Sequence, residues 1–340
     1  MRAQLIFLIC ILLAPFFATA QYTEMINTNR PGFSQGAFSV GKNVLQVETG
    51  IGFGKEEHDL LQTETDAFLI DYSVRYGLLK EQLEVSLIGT FQSNTVLNNR
   101  AAIPFESTFS NFRRNTLGAK YLIYDPYLKR DQKEPNLYSW KANNRIQWAD
   151  LIPAVAVYAG ANFELADNPF TPDSEFSVNP RVAISTQNNF IGHFVLVTNI
   201  FADRISTDVP SYGYIITLTH SVTDYFSIFV ENQGIKSDFY ADQLFRTGAA
   251  ALINKDLHVD ASVLINFKDT PSRLFARVGV AYRFDMHDQD EYIEEKGKAG
   301  REARKAEKNA KRDKKKKDKK SKKDKGKDKK VVDDGGALLN

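Results

Sequence analysis

Charged side chains fall at even spacings on one face of long alternating stretches, and any chemistry this chain performs would start from them. Glu48, Asp71, Glu84, Glu231 and Asp260 share this placement with Arg75, Arg114, Lys120, Arg181, Arg246, Lys268, Arg273, Arg277 and Arg283. Successive side chains on a strand point to opposite faces, so each of these charges shares a face with other polar residues and leaves an apolar face behind it. A charge facing the inside of a closed sheet needs water or a partner. Two arrangements satisfy that need. In one, the basic excess lines a water-filled passage that favours anionic or polar aromatic solutes. In the other, the charges pack as a ladder across a narrow lumen, with Glu48 paired to an arginine of the Arg273, Arg277 and Arg283 row.

Other reactive constellations are missing. Hydrolysis needs a Ser and a His held by an orienting group, but His193, His220 and His258 fall at the inner end of their strands and His58 stands alone in an outer loop. No HxxxE or paired-His spacing suggests a metal, and no motif suggests a cofactor. A protein that is not an enzyme, with no catalytic residue, metal or cofactor, is the expectation.

The elements that would position the charges are clearest in the last hairpin, 257–284. Leu257, Val259, Ala261, Val263, Ile265 and Phe267 alternate with His258, Asp260, Ser262, Leu264, Asn266 and Lys268. After Asp269, Thr270 and Pro271 the pattern resumes, with Leu274, Ala276, Val278, Val280, Tyr282 and Phe284 opposite Arg273, Arg277 and Arg283. A soluble sandwich would press the apolar face against a second sheet. A transmembrane barrel turns it to lipid and fills the lumen with polar groups.

The start of the chain favours the barrel. Arg2, the apolar run from Leu5 to Phe17 and the small residues Ala18-Thr19-Ala20 form a secretory signal peptide, expected to be cut after Ala20. The run falls short of the roughly 20 apolar residues a helical span needs. Cys10, the single cysteine, lies inside it, so the mature chain has no thiol for a disulfide, for catalysis or for zinc.

Along the mature chain, 21–43 is a turn-rich leader containing Thr28-Asn29-Arg30-Pro31-Gly32, read as a periplasmic segment or partial plug. Alternation then marks strands at about 44–54, 64–77, 83–92, 113–124, 151–164, 178–187, 190–202, 211–220, 224–233, 242–254, 257–268 and 274–284. That is an all-β, antiparallel up-and-down barrel of about twelve strands over 44–284. Connections at 78–82, 187–189, 221–223 and 254–256 are short, and those at 55–63, 93–112, 165–177, 203–210 and 234–241 are long, as periplasmic turns and outer loops are. The segment 125–150 breaks that rule, as a periplasmic insertion or as an uncounted strand pair.

Several of these stretches resemble one family. The leader TNRPGF with the following VGKNVLQVETGIGF, the turns YGLLKEQLEVSL and HSVTDYFSIFVEN, and the terminal strand ending YRF look like the bacterial outer-membrane family described as putative MetA-pathway of phenol degradation, over roughly residues 26–284. The resemblance implies a transporter-like barrel in outer-membrane lipid, linked to uptake or breakdown of aromatic compounds, and brings no catalytic residue. Tyr282 and Phe284 resemble the terminal signal read by the barrel-assembly machinery, although here 56 further residues follow Phe284.

Those residues form a second region. Residues 285–340 carry 20 Lys and Arg against 14 Asp and Glu, a net of +6; setting these and Arg2 aside, 21–284 holds 23 basic and 28 acidic residues, a net of −5. A run so basic and so poor in apolar residues is expected to be a disordered periplasmic tail. It either binds an anionic envelope polymer or lipid headgroup or stays solvated without a fixed partner. Nucleic acid is not expected, since the chain is exported and no aromatic residue is interleaved for stacking.

The functional expectation is a passive channel or uptake porin for small, anionic or aromatic solutes in the outer membrane. The alternative is a structural barrel with a plugged lumen that anchors the envelope through its tail. On the channel reading, Arg277→Glu should weaken anion preference, measured as the reversal potential across a bilayer in a salt gradient; an unchanged potential counts against it.

Overall fold

The computed structural model describes residues 25–286, apart from 101, 128–137, 139–147, 165–167, 172–177, 206 and 239. The expected signal peptide, most of the basic tail and much of 125–150 lie outside the described residues. Twelve strands follow in order: β1 (Val44–His58), β2 (Thr63–Gly77), β3 (Leu83–Asn98), β4 (Phe105–Tyr124), β5 (Ala154–Phe163), β6 (Val178–Phe190), β7 (Phe194–Asp203), β8 (Ser211–Thr223), β9 (Phe226–Ser237), β10 (Ala241–Asn254), β11 (Leu257–Asn266) and β12 (Ser272–Asp285). Each pairs antiparallel with its neighbours in sequence, and β1 pairs with β12 to close the barrel.

Closure follows from the alternation. Along the β1–β12 seam, Val47 faces Tyr282, Thr49 faces Val280 and Ile51 faces Val278 on the outside, while Glu48 faces Ala281 and Gly50 faces Gly279 on the inside. Ile51, Phe53, Leu274 and Val278 are exposed, whereas Gln46, Glu48, Arg75, Glu84, Lys120, Glu231, Arg246, Asp260 and Arg283 are buried. This inversion of the usual soluble pattern is what lipid outside and a polar interior require, and it removes the sheet edges that lipid cannot satisfy. No helix among the described residues is long and apolar enough to cross a membrane.

The expected outer loop 93–112 is wrong. β3 runs to Asn98 and β4 begins at Phe105, so these residues form a tall hairpin. Its outer part carries Asn94, Thr95, Ser107, Thr108 and Ser110, polar on both faces, so the alternation that marks a strand in lipid vanishes although the backbone pairing continues. β1 likewise extends through the expected loop to His58, whose Nδ1 accepts a hydrogen bond from the Leu61 amide at 3.3 Å. The turn expected at 187–189 is part of β6, and the reversal lies at 191–193. β4 pairs directly with β5, so the segment between them adds no strand to the barrel.

An arginine on the lipid face should test this orientation. Val278→Arg is expected to destabilise the inserted barrel by about 2–4 kcal/mol if the residue lies near the bilayer midplane, seen as a lower urea midpoint; an unchanged midpoint would contradict a lipid-facing Val278.

Candidate functional site

The lumen holds the charged residues, and residues 25–43 run once round its inner wall. The Asn27 carbonyl accepts from Arg75 Nη1 on β2 at 2.7 Å and from Gln46 Nε2 on β1 at 3.1 Å. The Asn29 amide donates to Glu48 Oε1 on β1 at 3.3 Å. Arg30 then donates through Nε and Nη2 to Asp260 on β11, at 2.8 and 3.1 Å. The amides of Phe33 and Ser34 both donate to Glu231 Oε2 on β9, at 2.9 and 3.3 Å. Gln35 exchanges two backbone hydrogen bonds with the Asn199 side chain on β7, at 2.6 and 2.8 Å.

The second half of the circuit returns to the seam. The Ala37 amide donates to Gln187 Oε1 on β6 at 3.1 Å, and Lys120 Nζ on β4 donates to the carbonyls of Gly36 and Phe38, both at 2.9 Å. The Val40 amide donates to Glu84 Oε2 on β3 at 3.0 Å, and the Asn43 amide reaches the Gly77 carbonyl at 3.0 Å before β1 begins. Wall carboxylates and amides thus accept from the leader's N–H groups, while wall cations donate to its carbonyls. An irregular backbone inside a barrel has few other partners, and unpaired buried polar groups are costly.

The wall charges are also paired with each other. Glu84 takes Arg75 bidentately, with Nε and Nη2 each at 2.9 Å, and lies 3.5 Å from Lys120; Arg75 also reaches Glu48 at 3.2 Å. Arg277 meets Asp71 at 2.7 Å, Arg181 meets Asp203 at 2.5 Å, Arg283 meets Asp256 at 2.8 Å, and Arg246 pairs with Glu231. Arg273 lies 3.4 Å from Glu56 and 3.7 Å from Asp242. Lys268 sits exposed, donating to the Ala241 carbonyl beside the Tyr240 ring. Arg114 lies opposite Thr90 of β3, within the field of Asp203, Arg181 and Arg113.

Two expectations need correction. Glu48 does not pair with the β12 arginines, because the register sets it opposite Ala281 and leaves Arg75 as the cation within reach. The basic excess is also largely cancelled by Glu56, Asp203, Asp242 and Asp256, which lay in stretches read as loops or turns or were passed over. Arg30 and Arg113 join the basic side. Burial alone would lower the Arg30 pKa, but its hydrogen bonds to Asp260 and the charges of Asp260, Asp71 and Glu48 raise it above the ordinary guanidinium value.

The missed contribution of Arg30 had a sequence signal in the glycines. Gly50 and Gly279 are paired across the seam, and a Cβ on either would collide with the Arg30 guanidinium. Phe33 had none: its ring lies between Arg246, 4.2 Å from the centroid, and Arg277, at 4.7 Å. Apolar side chains also enter the lumen. Ala67, Leu69, Leu244, Leu264 and Phe275 pack together, and Tyr158, Ala183, Phe201 and Ile215 pack with Phe33 partly against them. A cavity of about 270 Å³ remains between the leader and strands β7–β11, lined by Thr28, Gly32, Thr219, Phe229 and His258.

Tyr282 and Phe284 stack edge to face on the outer wall at the end of β12, with ring centroids 4.7 Å apart. Among the described residues no group of three or more His, Cys, Asp and Glu is arranged to hold a metal.

A family profile described as "Putative MetA-pathway of phenol degradation" matches residues 28–284. The chain belongs to that family. The match starts inside the leader, so the family's shared sequence includes most of the lumenal circuit as well as the wall. A comparison with curated proteins finds no match. Among solved structures, the COG4313 outer membrane channel from Pseudomonas putida F1 aligns with a TM-score of 0.51 at 8% identity, covering 76% of this chain and 100% of that one. That likeness is one of fold. The CymD monoaromatic hydrocarbon channel aligns at a TM-score of 0.38 and 9% identity, over 73% of this chain and 90% of that one. The translocator domain of the autotransporter NalP from Neisseria meningitidis aligns at 0.42 and 11% identity, over 72% and 89%.

The lumenal circuit predicts how the leader comes loose. Glu231→Ala removes the acceptor shared by the Phe33 and Ser34 amides, the Thr217 hydroxyl and Arg246. Leaving that buried cation unpaired should cost about 3–5 kcal/mol and render the 25–43 segment cleavable by protease in an otherwise resistant barrel; a leader as resistant as wild type would contradict its anchoring there.

Proposed function

We propose that this protein is an outer-membrane channel, exported by a signal peptide cleaved after Ala20, that conducts small solutes through a lumen narrowed by its own N-terminal segment. The observation that carries this reading is a closed twelve-strand barrel with an apolar exterior and a charged interior, in which the N-terminal segment follows the wall as a girdle. An even number of strands puts both barrel ends of the chain on one side, which we read as periplasmic because the short turns lie there, with β12 ending in the aromatic pair that the barrel-assembly machinery would read. The girdle and the two apolar clusters take up part of the lumen, which restricts the reading to small solutes. Most lumenal arginines are paired, so a preference for anions, polar aromatic ones included, would rest on those without a carboxylate partner, and the family's description is compatible with such cargo.

A second reading has its own support, since the girdle and two apolar clusters occupy much of the lumen. On that reading the barrel is a structural anchor whose basic tail, 285–340, grips an anionic envelope polymer. Single-channel recording of the refolded, mature chain in a planar bilayer separates the two. The channel reading expects stable open steps that survive deletion of 285–340. A folded, inserted barrel that stays silent, together with loss of co-sedimentation with cell-wall material on that deletion, would overturn it in favour of the anchor.

A further inference from the structure

The pairing of lumenal charges leaves one place unsatisfied. Between Thr90 and Phe91 of β3 the register with β4 shifts, Thr90 lying opposite Arg114 and Phe91 opposite Phe112. This bulge lets the consecutive residues Arg113 and Arg114 both serve the lumen, which regular alternation forbids. Arg113 Nη1 donates to Gln92 Oε1, an amide, at 3.0 Å, and among the described residues neither arginine forms an ion pair with a carboxylate. The carboxylate whose charge acts on Arg114 is Asp203, already bonded to Arg181 at 2.5 Å and to the Asn162 amide.

A second stretch of wall, on β12 four strands round the barrel from β4, repeats the sign. Arg113 is exposed and lies within electrostatic reach of Arg273 and Arg277 on β12. Asp71 is engaged by Arg277, and Glu56 and Asp242 by Arg273; Arg277 Nε is buried with no hydrogen-bond partner among the described residues. The charges of these guanidinium groups thus act on one another within the lumen, while Asp203, Asp71, Glu56 and Asp242 are already engaged by Arg181, Arg277 and Arg273. Such an arrangement fits an anion that accepts from two planar forks, which is the geometry of a carboxylate.

We propose that Arg113 and Arg114, supported by Arg181 and Arg277, form a binding site for a small organic carboxylate on its way through the lumen. This rests on the channel reading and names its solute class and the residues that select it. The β4 bulge creates the site by turning two successive guanidinium groups to one face. Arg181 and Arg277 add field from either side, each steadied by its own aspartate, so they are positioning residues, while Arg113 and Arg114 carry the contact.

The test uses the refolded, mature full-length chain in planar bilayers, with acetate as the probe. In a potassium acetate gradient the wild type should show a reversal potential of anion-preferring sign, and Arg113→Gln with Arg114→Gln should reduce the acetate-to-potassium permeability ratio at least threefold while open steps persist. Arg113→Lys with Arg114→Lys keeps the charge and loses the fork, so it should retain preference in potassium chloride yet lose part of it in acetate. Conducting double-glutamine channels with an unchanged acetate ratio would overturn the site and leave the channel reading standing. A folded wild-type barrel with no open steps would overturn both. Heat-modified migration on gels confirms that each variant is folded before its current is read.

Discussion

A stretch of irregular backbone inside a membrane barrel must find a partner for every N–H and C=O it brings, because neither a helix nor a ladder supplies them. Residues 25–43 meet much of that requirement on the barrel wall. Glu48, Glu231, Glu84, Asn199 and Gln187 accept from amides of the segment, and Arg75 and Lys120 donate to its carbonyls. The same carboxylates are also bonded by wall arginines, so removing one unsettles both the segment and the wall. The lumenal charges therefore do three things at once. They hold the girdle, they join distant strands, and they set the field along the passage.

The requirement explains where space is left as well as where charge is placed. Gly50 and Gly279 meet at the seam because a side chain there would evict Arg30, whose guanidinium spans the gap to Asp260. Phe33 is seated between Arg246 and Arg277, and this ties the girdle to β10 and β12 by ring contacts rather than by backbone. Desolvated cation–π contacts of this kind contribute up to about 2 kcal/mol each. The Arg113–Arg114 bulge stands apart from the girdle. Its cations are neither consumed by the leader's backbone nor balanced by wall carboxylates, which is why that place, rather than the well-paired Arg75 or Arg283, is assigned to a solute.

Much of this was legible in the alternation. The twelve strands and the sharing of one face by Glu48, Asp71, Arg75, Glu84, Lys120, Glu231, Arg246 and Asp260 follow from period 2, and the signal peptide and the strand count pointed from there to a closed barrel. The β3–β4 hairpin was not, because beyond the lipid both faces of a strand meet water, and Ser107, Thr108 and Ser110 carry no sign of which side they face. The same blindness hid Glu56 and Asp203, so the charge balance came out too basic. Which acid meets which base depends on register, and a sequence does not show that Glu48 lies opposite Ala281. The leader's turn-forming residues announced that it is not a strand and left a periplasmic segment and a partial plug both open; its path round the wall is a tertiary fact with a faint local trace in Gly50 and Gly279.

Whether the lumenal charges hold residues 25–43 as an ordered girdle can be read by amide hydrogen exchange of the refolded barrel, followed by mass spectrometry on peptides covering that segment. Backbone amides bonded to buried carboxylates exchange only when the segment opens. The account predicts that peptides spanning Asn29 to Val40 are protected to a degree approaching that of β1, with protection lost in Glu231→Ala. Exchange of the wild-type segment at the rate of an unstructured peptide, beside a protected β1, would contradict it.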